Sequence, residues 1–307
     1  MNEIKIFSPA TVSNVACGFD VLGFCLDTIG DTMVVRKTKK KGVRISKIEG
    51  GFDLPYETNV NVAGVSALAL IKDANPDCGF EIEIHKNIKP GSGIGSSSAS
   101  ASGSVFAINE LLGRPYDKTQ LTRFAIKGEA LASGSEHADN IAPGIFGGFT
   151  LVKSLQPLEV LEIPVPDDLF SIVIHPQIEI KTSSARAMLP NQIPLLDATI
   201  QWANVGSLIH ALHISDYGLI KRSLEDIIIE PYRAKLIPHY REVKDEALRA
   251  GALGAGISGS GPSIFMLSEG LETAKQVEQA IRSVYSKTKI QFETYVSKIN
   301  TEGIKTL

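Results

Sequence analysis

The residues with the clearest chemical potential lie in one stretch, Pro90-Gly-Ser-Gly-Ile-Gly-Ser-Ser-Ser-Ala-Ser100. It follows Phe80–His85, which alternates apolar and polar residues as a strand does, and it precedes the helical pattern of residues 101–112. A glycine-rich loop that opens a helix presents unpaired backbone N–H groups at the positive end of the helix dipole. This stretch therefore predicts a phosphate-binding loop, and its serine hydroxyls could also reach a magnesium ion.

Other interpretations of the same stretch are possible. No Gly-Lys-Ser/Thr closes it, so it is not a Walker A loop. Gly91-x-Gly93-x-Gly95 resembles a dinucleotide fingerprint only loosely, because the third glycine of that fingerprint is missing and no N-terminal strand leads into it. A flexible surface loop stays open, although the position between a strand and a helix disfavours it.

Composition limits the class of protein. The 307 residues are 43% hydrophobic and 21% charged, which is typical of a globular protein with a sizeable core. A net charge of −3 predicts no general attraction to nucleic acid or to a membrane. Cys17, Cys25 and Cys78 form no CxxC pair and indicate reduced thiols without a zinc site. With no signal-peptide pattern and no apolar run near the ~20 residues of a membrane span, we expect a cytoplasmic protein.

A local basic run stands between two strand-like segments. Residues 37–44 read Lys-Thr-Lys-Lys-Lys-Gly-Val-Arg, between Thr32–Lys37 and Val43–Ile48. Their position predicts a solvated hairpin turn rather than a binding patch.

The order of predicted elements indicates an α+β protein with two domains. Strands and helices alternate in the first half, and a passage rich in proline and acidic residues follows at about 154–168. We predict domains at 1–155 and 156–307, the second with helices on one face of an antiparallel sheet.

Two further polar, glycine-bearing segments stand beside predicted strands. Ser8–Asp20 is expected as a turn that follows the strand Ile4–Phe7, and Gly254–Ser263 precedes another strand. Strand ends are common places for substrate groups. Each segment alone could be a structural turn.

Together with the glycine-rich loop, these segments resemble the three signature motifs of the GHMP small-molecule kinases. The central motif of that superfamily ends in Gly-Leu-Gly-Ser-Ser, and Pro90-Gly-Ser-Gly-Ile-Gly-Ser-Ser97 departs from that part only in Ile94. Within the superfamily, Pro9–Asp20, Glu136–Pro143 and Ile257–Ser263 resemble the motifs of the homoserine kinase family.

The resemblance implies both a fold and an activity. The N-terminal half would be a ribosomal-S5-like domain that binds ATP, the C-terminal half a ferredoxin-like domain, and the protein a homodimer. The activity would be ATP- and Mg²⁺-dependent phosphorylation of the hydroxyl of L-homoserine, in threonine biosynthesis. The alternatives are another GHMP kinase of mevalonate or shikimate type, or a protein of this fold that binds a metabolite without catalysis.

On the donor side, the resemblance implies nucleotide contacts along the loop and adenine contacts from Asn59 and Val62, although Asn59 or Thr58 could instead cap a helix. Ser97 and Glu129 match the metal-ligand positions. Glu129 lies about 40° from Ala125 on its helix, at the border of the apolar face, where a carboxylate needs a cation or strong donors. A salt bridge to a lysine is the alternative. The loop residues implied are Pro90, Gly91, Ser92, Gly93, Ile94, Gly95, Ser96, Ser97, Ser98, Ala99 and Ser100.

On the acceptor side, an amino acid offers a carboxylate and an ammonium. Arg186 and Arg233 match the arginines of the family, and a guanidinium suits a carboxylate. Asp20 is the expected partner of the ammonium. Asn14 and His137 are further contacts, with His137 one helical turn before Asn140.

The catalytic position of the family is Asn140. Mevalonate kinases and galactokinases place an aspartate there, whereas an amide is not a general base near neutral pH. We expect direct attack by the substrate hydroxyl, with Asn140 orienting it. Asp139 could restore a base mechanism, but consecutive residues are expected to point apart.

Overall fold

The computed structural model describes residues 1–307, except for the side chain of residue 133. The strands are β1 Glu3–Val15, β2 Gly18–Thr38, β3 Gly42–Glu49, β4 Gly79–His85, β5 Phe149–Leu155, β6 Leu158–Ile163, β7 Leu169–Pro176, β8 Gly254–Ile257, β9 Ile264–Glu269, β10 Phe292–Lys298 and β11 Lys305–Thr306. The helices are α1 Val62–Ala74, α2 Ser96–Leu112, α3 Lys118–Ser133, α4 Ile141–Phe146, α5 Thr182–Ala187, α6 Leu195–Ile214, α7 Tyr217–Ser223, α8 Glu230–Arg233, α9 Tyr240–Arg249 and α10 Leu271–Tyr285.

The first sheet has the order β11-β1-β2-β4-β3, and β5 pairs with β2 and carries β6 at its far edge. The hairpin predicted around the basic run is wrong, because β2 pairs with β4 and not with β3. The strand β3 runs parallel to β4, so α1 serves as the crossover between them. This connection places β4, and with it the start of the glycine-rich loop, between β2 and the edge strand β3.

The first motif lies within strands rather than in a turn. The expected turn after Phe7 is wrong, since β1 continues to Val15 and β2 begins at Gly18. The pairing of β1 with β2 shifts register between Pro9 and Thr11 and again after Ser13. Such bulges bend a strand and re-aim its side chains, which here places polar residues of β1 beside the glycine-rich loop.

The second sheet, β10-β7-β9-β8, is antiparallel throughout, as expected for the C-terminal half. The α+β fold class with its two units is confirmed. The division at residue 155 stays a prediction: the first sheet continues past it in β6 and takes up β11 from the end of the chain.

Aromatic side chains join the two sheets. Phe24 of β2 lies 4.9 Å from the ring of Phe149 on β5 and 5.8 Å from the ring of Phe265 on β9. All three are fully buried in one apolar cluster. Because such rings bury a large apolar area, this cluster holds the two sheets, and the motifs at their edges, in a defined relation.

Across the part of the chain that the structure describes, no helix combines the length and the apolar character needed to span a membrane.

Candidate active site

The three motifs line a single cleft with a volume of about 350 Å³. Backbone hydrogen bonds join them in pairs: Thr11 N donates to Ile94 O at 3.2 Å, and Gly259 N donates to Ser13 O at 3.1 Å. Ser263 N closes the triangle by donating to Ser92 O at 3.2 Å. Segments that lie far apart in the sequence thus form one continuous wall.

Two glycines of the loop are required by this contact. Gly93 has φ +84°, and a Cβ there would lie 2.7 Å from the carbonyl oxygens of Ser258 and Gly261. Gly95 has φ +71°, and its Cβ would lie 2.2 Å from Thr11 Oγ1. Both the left-handed backbone and the close approach exclude other residues.

The predicted nucleotide-binding residues divide into two groups. Those that line the cleft are Pro90, Gly91, Gly93, Gly95, Ser96, Ser97, Ser100 and Val62. Ser92, Ile94, Ser98 and Ala99 are buried behind this surface and hold the loop through backbone and packing contacts. The helix α2 begins at Ser96, so the free N–H groups of its first turn lie at the cleft, as a phosphate requires.

A buried ion pair supports this loop, and the sequence prediction missed it. Lys86 and Asp31 are almost fully buried and form a salt bridge. Lys86 Nζ also donates to Ser96 O at 2.9 Å and to Ser100 Oγ at 3.1 Å. Burial lowers the pKa of Lys86, and the adjacent Asp31 carboxylate raises it. The sequence did contain a signal for Lys86, which stands between the predicted strand Phe80–His85 and the glycine-rich loop.

Glu129 faces the loop from α3 and is 9% exposed, as its place on the helix predicts. Ser97 Oγ donates to its Oε2 at 2.8 Å and Ser98 Oγ at 2.9 Å. Burial raises the pKa of the Glu129 carboxyl, while the two hydroxyls lower it. Glu129 and Ser97 together offer oxygen ligands at the cleft.

Asn59 is exposed and does not line the cleft. The prediction that Asn59 or Thr58 caps the helix is wrong. The N-cap of α1 is Asn61, whose Oδ1 accepts from Gly64 N at 3.2 Å and whose Nδ2 donates to Pro55 O at 2.7 Å. Asn61 and Val62 line the cleft beside Leu54 and Pro55, an apolar surface suited to a purine.

The opposite end of the cleft carries mixed charges. Arg186 of α5 binds Asp20 in bidentate fashion, with Nη1–Oδ2 3.0 Å and Nη2–Oδ1 2.9 Å. His137 Nε2 lies 3.3 Å from Arg186 Nη2. His137 precedes α4 by several residues, so it reaches the cleft from an irregular segment and not from the helical turn that was expected.

Arg233, at the end of α8, is 2% exposed. Its Nη1 donates to Gly259 O at 2.9 Å, and Asn14 Nδ2 donates to the same oxygen at 2.8 Å. The guanidinium lies over the ring of Phe19, 4.9 Å from its centroid. Among the described residues no carboxylate pairs with Arg233, and its Nε has no hydrogen-bond partner. This buried cation is therefore suited to an anionic group of a ligand.

Asn140 lies between the two ends of the cleft. Thr11 Oγ1 donates to its Oδ1 at 2.8 Å, and its Nδ2 donates to Ser13 Oγ at 2.8 Å, which defines the orientation of the amide. Ser13 also hydrogen-bonds Asp139. The expectation that Asp139 and Asn140 point apart is wrong: both line the cleft, because the chain bends into α4 at this point.

Comparison with known proteins adds independent findings. Residues 61–148 match the GHMP kinases N terminal domain, and residues 208–287 match the GHMP kinases C terminal domain. The chain is 45% identical to homoserine kinase of Chlorobium phaeovibrioides, covering all of both chains, and 43% identical to that of Chlorobaculum tepidum, covering 99% of this chain and 98% of the relative. The crystal structure of homoserine kinase from Cytophaga hutchinsonii superposes with a TM-score of 0.96 at 47% identity, covering 100% of this chain and 98% of the other.

Proposed function

This chain belongs to the homoserine kinase family of GHMP kinases, which are ATP-dependent small-molecule kinases, and we propose that its cleft transfers the γ-phosphoryl group of ATP to the hydroxyl of L-homoserine. The observation that carries this assignment is the position of Asn140. Its amide is in hydrogen-bond contact with Thr11, and Thr11 packs against Gly95 of the phosphate loop. A substrate hydroxyl that lies beside Asn140 is therefore close to the phosphate loop, which would hold the γ-phosphate of ATP.

The donor half binds ATP through the loop and the N-terminus of α2. Asn61 and Val62, with Pro55, form the base-binding surface, and the exposed Asn59 lies outside it. The buried Lys86–Asp31 pair holds the carbonyl of Ser96 and so keeps the first turn of α2 in place. Preorganised N–H groups of this kind stabilise phosphate charge without rearrangement during the reaction.

Ser97 and Glu129 fit a magnesium ion, which takes few protein oxygens and several waters or phosphate oxygens. Among the described residues there is no group of three or more histidine, cysteine, aspartate or glutamate residues arranged for a metal. A cation here would therefore be shared with the nucleotide. When bound, Mg²⁺ neutralises the negative charge of the phosphates.

The acceptor half suits a zwitterionic amino acid. Arg233 and Arg186 bind the carboxylate, and Asp20 binds the ammonium, with Asn14 and His137 closing the site. Mevalonate has no ammonium, so a mevalonate carboxylate that took up Arg186 would leave the half-buried Asp20 carboxylate without a replacement for its ion-pair partner.

In the reaction, the substrate oxygen forms a bond to the γ-phosphorus while the bond from that phosphorus to the bridging oxygen of ADP breaks. Asn140 holds the hydroxyl in line, and the hydroxyl proton passes to an oxygen of the transferred phosphoryl group. Positioning and electrostatics thus supply the rate acceleration.

We further propose that the enzyme is cytoplasmic, which the three free cysteines support, and that it is a homodimer, as the family resemblance implies.

An ADP-release assay tests the proposal. With ATP and Mg²⁺, we expect ADP formation with L-homoserine, phosphorylation of its hydroxyl by mass spectrometry, and little turnover with threonine, mevalonate or shikimate. Turnover of mevalonate alone would refute the acceptor. Homoserine binding without any ADP would indicate a metabolite-binding protein instead.

The magnesium site has its own test. In Glu129→Gln, the Mg²⁺ concentration for half-maximal activity should rise by about tenfold or more, because an anionic ligand is lost. The matched control is Glu159→Gln, which removes only a surface pair with Lys153. Unchanged Mg²⁺ dependence in Glu129→Gln would remove Glu129 from the metal site.

A further inference from the structure

A glutamine outside the cleft connects two segments that build the acceptor site. Gln201 lies on α6, is 7% exposed and does not line the cleft. Its Nε2 donates to Cys17 O at 3.1 Å and to Asp226 Oδ1 at 2.9 Å. Its Oε1 accepts from Ile227 N at 3.2 Å. Both hydrogens of the amide and its oxygen are therefore engaged.

One of these segments is the turn between β1 and β2. Cys17 lies inside it, between Asn14 and Asp20, and Asp20 N donates to Asn14 Oδ1 at 2.7 Å. Ala16, within this turn, has a φ value of +45°. An alanine adopts this left-handed conformation only when its surroundings enforce it, so the turn needs external support. Gln201 supplies one such contact.

The other segment leads into α8. The carboxylate of Asp226 accepts from Ile228 N at 3.0 Å, Ile229 N at 2.9 Å and Glu230 N at 2.9 Å. It thereby satisfies free N–H groups at the start of the helix that ends in Arg233. The contact from Gln201 holds this carboxylate in place.

We propose that Gln201 is a positioning residue for the acceptor site: it sets the separation of Asp20 from Arg233, and hence the affinity for homoserine, without touching the substrate. The inference rests on the proposed function. The ammonium and the carboxylate of an amino acid lie a defined distance apart. The Asp20 carboxylate and the Arg233 guanidinium must therefore lie at a matching distance. None of the hydrogen bonds of Gln201 reaches the nucleotide loop, so we expect the donor half to be affected less than the acceptor half.

The test is steady-state kinetics of Gln201→Leu and Gln201→Glu in the full-length chain. Leucine removes all three contacts, while glutamate keeps the acceptor for Ile227 N, loses both donated bonds and places a second carboxylate beside Asp226. We expect the KM for homoserine to rise about 10- to 100-fold in both variants, as for other residues that position a ligand contact. The KM for ATP and kcat should stay close to those of the parent.

Asn204→Ala is the matched control, since Asn204 lies on the same helix and donates to Glu225 O at 3.3 Å without reaching the turn. It should change neither KM by more than about twofold. A folded Gln201 variant with an unchanged homoserine KM, or an equal rise in both KM values, would overturn the inference. If these variants fail to fold, the same criteria apply to Gln201→Met, which removes the same contacts with an uncharged side chain of similar length. Absence of homoserine turnover in the parent would instead refute the proposed function.

Discussion

Arg186 and Asp20 form a bidentate ion pair across the cleft, with N–O distances of 3.0 and 2.9 Å. The two residues come from α5 and β2, 166 positions apart. Each is the expected partner of one charge of an amino acid, and in the free protein each neutralises the other. A zwitterionic ligand can enter such a pair by exchange, because it offers a replacement for both partners at once.

Removal of one charge of this pair should therefore weaken substrate use selectively. In Asp20→Asn we expect kcat/KM for homoserine to fall roughly 30- to 150-fold, or about 2 to 3 kcal/mol for a lost charged contact. The KM for ATP should not change. Asp27→Asn, which breaks a surface pair with Lys305, is the control and should behave as the parent. An equal loss of kcat/KM for homoserine and for ATP would contradict this role for Asp20.

The contact between Gly95 and Thr11 predicts a strong effect of one methyl group. Gly95→Ala should lower kcat by about 100-fold or more, because its Cβ would displace Thr11 and lie 3.2 Å from Asn140 Oδ1. Gly113→Ala is the matched control: Gly113 also has positive φ, at +88°, but nothing lies within 4 Å of its Cβ. It should cost about 1 kcal/mol of stability and leave kcat unchanged. If Gly95→Ala keeps the kcat of the parent, the close approach of Gly95 to Thr11 is refuted.

The roles of Asn140 and Asp139 can be separated by kinetics. Asn140→Ala should lower kcat by about 100-fold or more, as loss of one preorganised polar contact does at other active sites, with little change in the KM for ATP. Asp139→Asn should retain measurable kcat. Full kcat in Asn140→Ala would remove that residue from the mechanism. Complete loss of kcat in Asp139→Asn, with homoserine still bound, would favour a general base.

Asp139 also predicts a pH dependence of stability. Burial, with a smaller effect of Asp20, raises the pKa of its carboxyl from 3.8 to about 6. Between these values the folded protein keeps a proton that the unfolded chain releases. This residue's contribution to the free energy of unfolding therefore falls as pH rises, by up to about 3 kcal/mol.

Urea unfolding of the parent and of Asp139→Asn at several pH values measures this contribution. The stability of the variant relative to the parent should increase as pH rises from 3.8 to about 6. Burial also lowers the pKa of His175 to about 4, which adds a contribution to stability that rises with pH. Both proteins share this contribution, so it cancels in the difference between their free energies of unfolding. A difference that is constant over this range would show that the Asp139 carboxyl titrates normally.

Local patterns in the sequence predicted the phosphate loop and the helix that follows it. The period of the apolar residues reports which face of an element is buried, and this was sufficient to place Glu129 at the border of the core. Strand pairing has no such local signal. The neighbour of β2 is β4, which lies about forty residues further along the chain, and the predicted hairpin failed for this reason.

The family, the two-unit fold and the residue types available for phosphate, carboxylate and ammonium groups could be predicted, since those follow from motifs that are continuous in the chain. Which side chains meet became visible in the folded chain alone: Gly95 lies against Thr11, Ser13 joins Asn140 to Asp139, Lys86 holds the phosphate loop, and Gln201 supports the acceptor site from outside the cleft. These contacts depend on strand register and on the packing of distant segments, which no local spacing encodes. The phosphate loop was therefore evident before its structure, whereas its relation to the acceptor site was not.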